Sequence, residues 1–147
     1  MKISTILKTK GDKVHTVPAH TPLKGVLRDM LVLRVGSLVI LDDSGEVAGI
    51  MTERDLLRNL AKLGAQWENV AVGDVMSREV ILGRPGDTLD QVMALMTERR
   101  IRHLPVVDGG RLVGMLSMGD IIKASLTESA FQNKLLKSYI KNWPEGD

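Results

Sequence analysis

The sequence predicts a mixed α/β protein that contains two copies of one β-α-β-β-α unit and a C-terminal helix. The first observation is an internal repeat, because segment 49–57 (Gly-Ile-Met-Thr-Glu-Arg-Asp-Leu-Leu) returns at 114–122 as Gly-Met-Leu-Ser-Met-Gly-Asp-Ile-Ile. The second is that segment 38–42 matches segment 104–108, with one additional residue in the turn after the earlier copy. A hairpin turn tolerates such an insertion, so the pattern indicates a duplicated unit.

Each unit is predicted to begin with a short extended segment and an amphipathic helix. The extended segments are 14–17 and 80–82. Apolar residues then recur at i, i+3, i+4 and i+7, from Leu23 in the first unit and from Leu89 in the second. This spacing places one apolar stripe on each helix, which can pack against a sheet.

A hairpin and a second helix complete each unit. Two apolar runs around a glycine-containing turn predict the hairpins, which pair 38–41 with 47–51 and 104–107 with 112–116. Residues suited to a helix start precede all four helices. They are Thr21 with Pro22 as the first helical residue, Thr52, Asp87 or Thr88, and Ser117.

The repeat divides the chain into four parts. We expect repeat 1 at 1–63, a linker at 64–73, repeat 2 at 74–125 and a C-terminal helical extension at 126–147. A unit of about 60 residues hardly buries a self-sufficient core, so the two repeats are expected to pack together. Trp67 is the one large apolar anchor of the linker.

Two apolar segments are left with open roles. Residues 31–33, Leu-Val-Leu, are either buried or part of a dimer surface. The last helix, predicted to end at Pro144, either covers its own core or contacts a partner. Its apolar residues are Leu126, Phe131, Leu135, Leu136, Tyr139 and Ile140.

Composition excludes several functions. Twenty basic and 18 acidic residues give a net charge of +2, and aromatic residues make up 3%, which argues against nucleic-acid binding by base stacking. The chain has no cysteine, and its three histidines are scattered, so we expect no metal site. No nucleophile elbow, phosphate loop or paired carboxylates appear, so we expect no enzyme.

No membrane segment is expected. The most apolar stretch, 30–41, is interrupted by Arg34 and is shorter than a membrane helix, and the N-terminus meets a charge too early for a signal peptide. We therefore expect a soluble, cytoplasmic protein.

The duplicated motif Gly-x-x-Thr/Ser-x-x-Asp could bind a nucleotide. A hydroxyl at the start of a helix can donate to a phosphate, where the first amides and the helix dipole favour an anion. An aspartate one turn later can accept hydrogen bonds from both hydroxyls of a ribose. Gly49 and Gly114 would let the backbone approach a ligand closely.

The same spacing has a structural explanation. Thr-x-x-Asp is a variant of the capping box, in which the acid folds back onto the backbone amide of the cap residue. A cap alone does not require a glycine three residues earlier and the same strand in both copies. Both interpretations stay open at this stage.

The repeats resemble cystathionine-β-synthase (CBS) domains. Segment 101–120, Ile-Arg-His-Leu-Pro-Val-Val-Asp to Gly-Met-Leu-Ser-Met-Gly-Asp, carries the resemblance, and segment 47–55 indicates a second copy. The resemblance covers about residues 3–125 and is of the stand-alone bacterial kind. It implies that the repeats pack about a pseudo-twofold axis and leave two clefts, which in the family bind AMP, ADP, ATP, NAD(H) or S-adenosylmethionine.

The resemblance also implies roles for individual residues. Thr52 and Ser117 would contact phosphate, and Asp55 and Asp120 would hold ribose. Arg102 and His103 match positions that reach phosphate in some family members, whereas Arg99 is expected to be a solvated cation at a helix end. The backbone of Thr16 and Val17 and the Thr16 side chain would line the adenine pocket.

The two clefts are expected to differ. Gly36 and Ser37 stand in repeat 1 where repeat 2 has Arg102 and His103, so anions should bind more tightly where those two converge. Repeat 2 has Leu82 in place of Thr16, so base recognition is in question there and one site is expected to be weak or empty.

The sequence as a whole therefore predicts a regulatory module without catalytic activity. It would bind AMP, ADP, ATP or NAD(H) as an energy or redox sensor, form a homodimer and signal to a regulated protein that the sequence does not identify. No metal, nucleic-acid or membrane partner is expected. The alternative is a structural or interaction module without a ligand, in which the Thr/Ser-x-x-Asp segments only cap helices.

Overall fold

The computed structural model describes residues 1–11 and 13–141 and confirms the mixed α/β class with two repeated units. The elements are α1 (Ile3–Lys10), β1 (Thr16–Pro18), α2 (Leu23–Leu33), β2 (Ser37–Leu41), β3 (Val47–Thr52), α3 (Glu53–Leu63), a 3-10 turn (Gly64–Asn69), α4 (Val72–Val75), α5 (Leu89–Arg99), β4 (His103–Asp108), β5 (Arg111–Ser117) and α6 (Met118–Lys141).

Each repeat contains the predicted antiparallel hairpin, β2–β3 in the first and β4–β5 in the second. In repeat 1, β1 adds a parallel strand beside β2. Repeat 2 has only a parallel bridge between Gly83 and Val106 at this place, so the strand predicted at 80–82 is not formed. A turn ends the pairing at once, because Asp87 accepts a side-chain hydrogen bond from the Arg84 amide (2.9 Å) and returns its own amide to the Arg84 carbonyl (3.0 Å).

Each hydrophobic core includes the segment that precedes the other repeat. We call these the leading segments: α1 before repeat 1, and residues 72–76 before repeat 2. Ile3, Ile6 and Leu7 of α1 are buried with α5, β4, β5 and α6 of repeat 2. Val72 of α4 and Met76 are buried in the core of repeat 1. The repeats are thereby interlocked, because the core of each is completed by the segment that precedes the other.

Helix starts differ in part from the prediction. Of the two residues expected to open α5, Asp87 or Thr88, Thr88 is the cap, and it forms a capping box with Gln91. Thr21 does not cap α2, and Pro22 is the N-cap residue instead of the first helical residue. The Thr21 backbone serves another purpose, since its carbonyl accepts a 2.8 Å hydrogen bond from Val72 and ties α2 to α4.

Helix α1 was not predicted, although Ile3, Ile6 and Leu7 have helical spacing. The expected linker contains the 3-10 turn and α4, and Trp67 packs against the core of repeat 1 as anticipated. Helix α6 runs without a break from repeat 2 into the C-terminal extension, which the sequence treated as a separate helix.

The two open apolar segments lie on the surface of the described chain. Leu31 and Val32 are 70% and 72% exposed. The expectation that this segment is buried within the chain is therefore wrong. Only the first turns of α6 contribute to the core, through Ile121. The apolar side chains of its C-terminal part do not cover the core, since Leu126, Phe131, Leu135 and Leu136 are all exposed. Pro144, the predicted end of this helix, lies outside the described residues, as do the side chains of Tyr139 and Ile140.

A search of the described helices for a membrane span finds none with the required length and apolar character.

Candidate functional site

Both Thr/Ser-x-x-Asp segments form capping boxes. At the start of α3, the Asp55 amide donates to Thr52 Oγ1 and the Thr52 amide donates to Asp55 Oδ2, both at 3.2 Å. At the start of α6, the Asp120 amide donates to Ser117 Oγ at 3.1 Å and the Ser117 amide donates to Asp120 Oδ2 at 2.8 Å. Both segments therefore cap helices, as the structural explanation of the motif predicted. The motif alone does not establish a ligand site.

A cleft of about 740 Å³ nevertheless opens beside one of the two boxes. Thr52 and Asp55 line it from α3, and Val80, Ile81 and residues 100–103 line it from the second repeat. We call it the open cleft. Its wall combines the second helix of one repeat with the leading segment of the other, which the exchange of leading segments makes possible.

The caps leave polar atoms available to this cleft. Asp55 uses Oδ2 in the box, and its Oδ1 has no hydrogen-bond partner among residues 1–11 and 13–141. Within the same residues, the Thr52 hydroxyl accepts a hydrogen bond and donates none. The N-terminus of α3 also borders the cleft, and its backbone amides and the helix dipole favour an anion there.

The charge of the open cleft is mixed. Its lining contains four arginines and three carboxylates. The arginines are Arg54, Arg58, Arg100 and Arg102, and the carboxylates are Glu53, Asp55 and Glu79. Arginine binds phosphate oxygens in a bidentate manner, and carboxylates accept hydrogen bonds from hydroxyl groups. The lining therefore offers donors for an anion and acceptors for hydroxyls in one space.

His103 begins β4, where it pairs with Ser117, and reaches the open cleft close to Gly36. A methyl group at Gly36 would lie 3.5 Å from His103 Nε2. Partial burial lowers the pKa of His103 below its ordinary value, and the positive charge of Lys10 acts in the same direction. The imidazole is therefore mainly neutral near pH 7 in the free protein and can gain a proton when an anion arrives.

The cap of α6 has a different environment. The Lys10 ammonium donates to Asp120 Oδ2 and to the Met115 carbonyl oxygen, both at 2.6 Å. Burial would raise the pKa of Asp120, but the hydrogen bonds from Lys10 and Ser117 outweigh it and lower that pKa. Ser117 and Asp120 do not line the open cleft, so the structure separates them from Thr52 and Asp55.

Thr16 and Val17 do not join the open cleft either. The Val17 side chain is buried in the core of repeat 1, with 6% of its surface exposed. Thr16 lines a smaller depression of about 540 Å³ between the two hairpin turns. Leu82, which replaces Thr16 in repeat 2, is exposed and lies outside the open cleft, whose apolar lining includes its neighbours Val80 and Ile81.

The room provided by Gly49 and Gly114 is used by the protein itself. A Cβ on Gly49 would collide with the Met76 side chain and with the Ser77 carbonyl oxygen, and a Cβ on Gly114 would collide with the Leu7 side chain. The sequence-based reason for these glycines, close approach to a ligand, is thus corrected. They admit the exchanged leading segments.

The basic residues between positions 99 and 103 are divided between the open cleft and the solvent. Arg102 and His103 line the open cleft, as does Gly36 from the first repeat, so both positions that were expected to distinguish two clefts belong to one. Arg99 lies exposed in the last turn of α5 outside the cleft, as expected for a solvated cation. Arg100, which was not predicted as a site residue, lines the cleft from a left-handed position (φ 54°).

Lys10 and Glu79 were also missed by sequence reasoning. The helical spacing of Ile3, Ile6 and Leu7 could have indicated α1 and hence the position of Lys10. Nothing local indicates Glu79. Its neighbour Ser77 is held against β3 by two backbone hydrogen bonds with Ile50. In the described ranges, no group of three or more potential ligands is arranged for a metal ion.

Fold and cleft together define a class of protein: two interlocked α/β repeats with a polar ligand-sized cleft between them. The sequence model of the CBS domain family matches the chain twice, at residues 6–62 and 72–127. The chain therefore belongs to the CBS domain family and is a tandem pair of these domains, which confirms the resemblance seen in the sequence.

Curated relatives match the chain over different shares of their own length. The chain is 32% identical over 147 residues to the mitochondrial CBS domain-containing protein CBSX3 of Arabidopsis thaliana, with 95% of this chain and 71% of the relative covered. It is also 32% identical to arabinose 5-phosphate isomerase KdsD of Salmonella typhi, covering 86% of this chain. The chain spans only 38% of the length of that isomerase.

Solved structures match most of the chain. A CBS-domain containing protein from Agrobacterium tumefaciens superimposes with a TM-score of 0.80 at 35% identity, covering 84% of this chain and 92% of the other. CBSX2, solved in complex with AMP, superimposes with a TM-score of 0.68 at 30% identity, covering 79% and 90%.

Proposed function

We propose that this protein is a regulatory module that binds one class of ligand, an adenine nucleotide such as AMP, ATP or NAD(H), in the open cleft. The observation that carries the proposal is the lining of that cleft. Asp55 and Thr52 of the first repeat and Arg100 and Arg102 of the second line the same space of about 740 Å³. The AMP complex of CBSX2 supports the ligand class.

Three parts of a nucleotide fit three parts of the wall. The apolar side chains of Val80 and Ile81 offer a surface for adenine. The free Oδ1 of Asp55 would accept hydrogen bonds from the ribose hydroxyls. Phosphate would lie between the Thr52 hydroxyl, the amide end of α3 and Arg102, where opposite charges and oriented amides stabilise it.

Regulation would follow from the position of the cleft between the repeats. A nucleotide that contacts both repeats favours the arrangement in which both walls are close, and a regulated protein could recognise that arrangement. No catalysis is part of the proposal, and the cytoplasmic location expected from the sequence stays a prediction.

A homodimer also remains part of the proposal. The exposed apolar residues of α2 and α6, among them Leu31, Val32 and Phe131, supply surface that a second copy could bury. Light scattering on the native protein measures the mass directly, and a monomer at all concentrations would remove this part.

The alternative function is a structural module without a ligand, which the two capping boxes favour. Titration with AMP, ATP, NADH and S-adenosylmethionine in a thermal unfolding assay separates the two. A ligand at 100 times its dissociation constant stabilises the fold by about 2.7 kcal/mol, which raises the melting temperature by about 5–10 °C. If none of the four raises it, the structural module is the better description.

Asp55→Gln is the sharpest variant, because the chain itself shows that glutamine completes a capping box. Gln91 does so at the start of α5, where its side chain accepts from the Thr88 amide at 2.9 Å. Asp55→Gln should therefore preserve α3 and the melting temperature of the free protein, and abolish the shift caused by nucleotide. A shift of undiminished size would show that the carboxylate does not hold the ligand.

A further inference from the structure

The second capping box, Ser117–Asp120, is occupied by a side chain of the protein itself. Lys10 lies in the last turn of α1 and bonds to both Asp120 Oδ2 and the Met115 carbonyl at 2.6 Å. Both side chains keep some contact with solvent, with 35% of Lys10 and 25% of Asp120 exposed. Such a charge-assisted bond is short and stronger than one between neutral groups.

Packing holds Lys10 in this place. Ile3, Ile6 and Leu7 anchor α1 in the core of repeat 2, and Leu7 fills the space above Gly114. Lys10 follows Leu7 by three residues, so it projects from the same side of the helix toward Met115 and the start of α6. The ammonium is therefore positioned by a helix whose apolar face is anchored in the core of repeat 2.

The open cleft lacks this feature. There the leading helix α4 ends at Val75, and the chain continues extended through Ser77 and Glu79 along the wall. Within the described part of the chain, no ammonium or guanidinium forms a salt bridge with Asp55. The same motif thus meets a cation in one repeat and an unfilled space in the other.

We propose that Lys10 closes the second nucleotide site by occupying the Asp120 carboxylate, so that each chain binds a single adenine nucleotide. This inference rests on the proposed function of the open cleft. A ribose at Asp120 would have to displace Lys10 from a charged hydrogen bond, which weakens binding about 10- to 100-fold relative to a site without the lysine.

Isothermal titration with AMP tests the inference through the number of sites. The wild-type chain should bind one AMP, and Lys10→Ala should bind two. Lys8→Ala is the matched control, because Lys8 lies exposed on the same helix and makes no contact with Asp120 in the described residues, so it should bind one. Lys10→Met, which keeps the apolar stem, replaces Lys10→Ala if circular dichroism shows that the alanine variant does not fold.

Asp120→Gln supplies a second measurement. It preserves the helix cap in the way Gln91 does, and in the wild-type background it should leave both stoichiometry and affinity unchanged. Combined with Lys10→Ala, it should return the stoichiometry from two to one.

The outcomes separate the two proposals. Two sites in the wild-type chain, or one site in a folded Lys10 variant, would overturn the closure by Lys10 while the open cleft stands as a nucleotide site. No binding to the wild type but one site in Lys10→Ala would support closure and remove the proposed function. No binding to either chain would remove both.

Discussion

The two capping boxes have nearly the same local geometry, but their surroundings differ. At Thr52–Asp55, the segment after α4 runs extended and leaves an open cleft, whereas at Ser117–Asp120 helix α1 continues and delivers Lys10 onto the carboxylate. The duplicated motif therefore does not set the chemistry by itself. The segment that precedes the other repeat decides whether each carboxylate faces a space or a cation.

The glycines under the two leading segments give the largest expected effect. Gly49→Ala should destabilise the fold by about 3 kcal/mol, because its Cβ would lie 2.8 Å from the Ser77 carbonyl oxygen, which is fixed by a 3.0 Å hydrogen bond from Ile50. Gly114→Ala should cost less, about 1 kcal/mol, since the nearest atoms belong to the Leu7 side chain and not to the backbone. Urea unfolding measures both, and equal losses would show that the two segments are held with the same rigidity.

The arginines at the end of α5 give the next largest effect. Arg102→Ala should weaken AMP binding about 10-fold, because it removes a charged donor from the open cleft. Arg99→Ala is its control, since Arg99 lies three residues away outside the cleft and should leave affinity unchanged. Calorimetry measures the AMP affinity of the two variants. An equal loss of affinity in both would show that Arg102 acts only through the net positive charge of this surface and not by contact with the ligand.

The pH dependence of binding gives the smallest effect. The pKa of His103 lies below 6.5 in the free protein because of burial and Lys10, while Arg102 also lowers it and Glu53 and Asp120 raise it. A phosphate in the cleft would raise this pKa, so the affinity for AMP should increase a few-fold from pH 8 to about pH 6.5. His103→Asn should remove this dependence and leave only that of the phosphate, whose own second pKa is about 6.

The free protein should show the opposite trend. Since the folded pKa of His103 is lowered, the unfolded chain binds this proton more readily, and the free energy of unfolding decreases as the pH falls below 6.5. Thermal unfolding without nucleotide between pH 8 and pH 6 measures this loss. A stability that rises on acidification in that range would contradict the neutral state assigned to His103.

Much of the fold was predictable because it is local. The hairpins β2–β3 and β4–β5 follow from apolar runs around a turn, and the start of α3 follows from the Thr52 cap. Even the alternative explanation of the Thr/Ser-x-x-Asp motif, a capping box, was visible in its spacing. These features depend on residues close in the sequence. Each of them occurs in both repeats, so the two copies support the same prediction.

The rest depends on contacts between distant residues. Lys10 meets Met115 and Asp120 at separations of 105 and 110 residues, which no local pattern encodes. The roles of Gly49 and Gly114 were misjudged for the same reason, since the atoms that fill their space belong to segments outside the hairpins. Sequence reasoning therefore identified Asp55 and Arg102 as candidates but did not foresee which carboxylate was left open.

The exchange of leading segments has a consequence for how the chain is made. During synthesis, α1 leaves the ribosome early, but the surface that buries Ile3 and Ile6 is completed only when the second half emerges. Conversely, the first half waits for Val72 and Met76 before its own interior is closed. Each half should therefore need the other to complete its core, and the two should melt as one cooperative unit. A proteolytic nick at 64–69 should leave two fragments that stay associated.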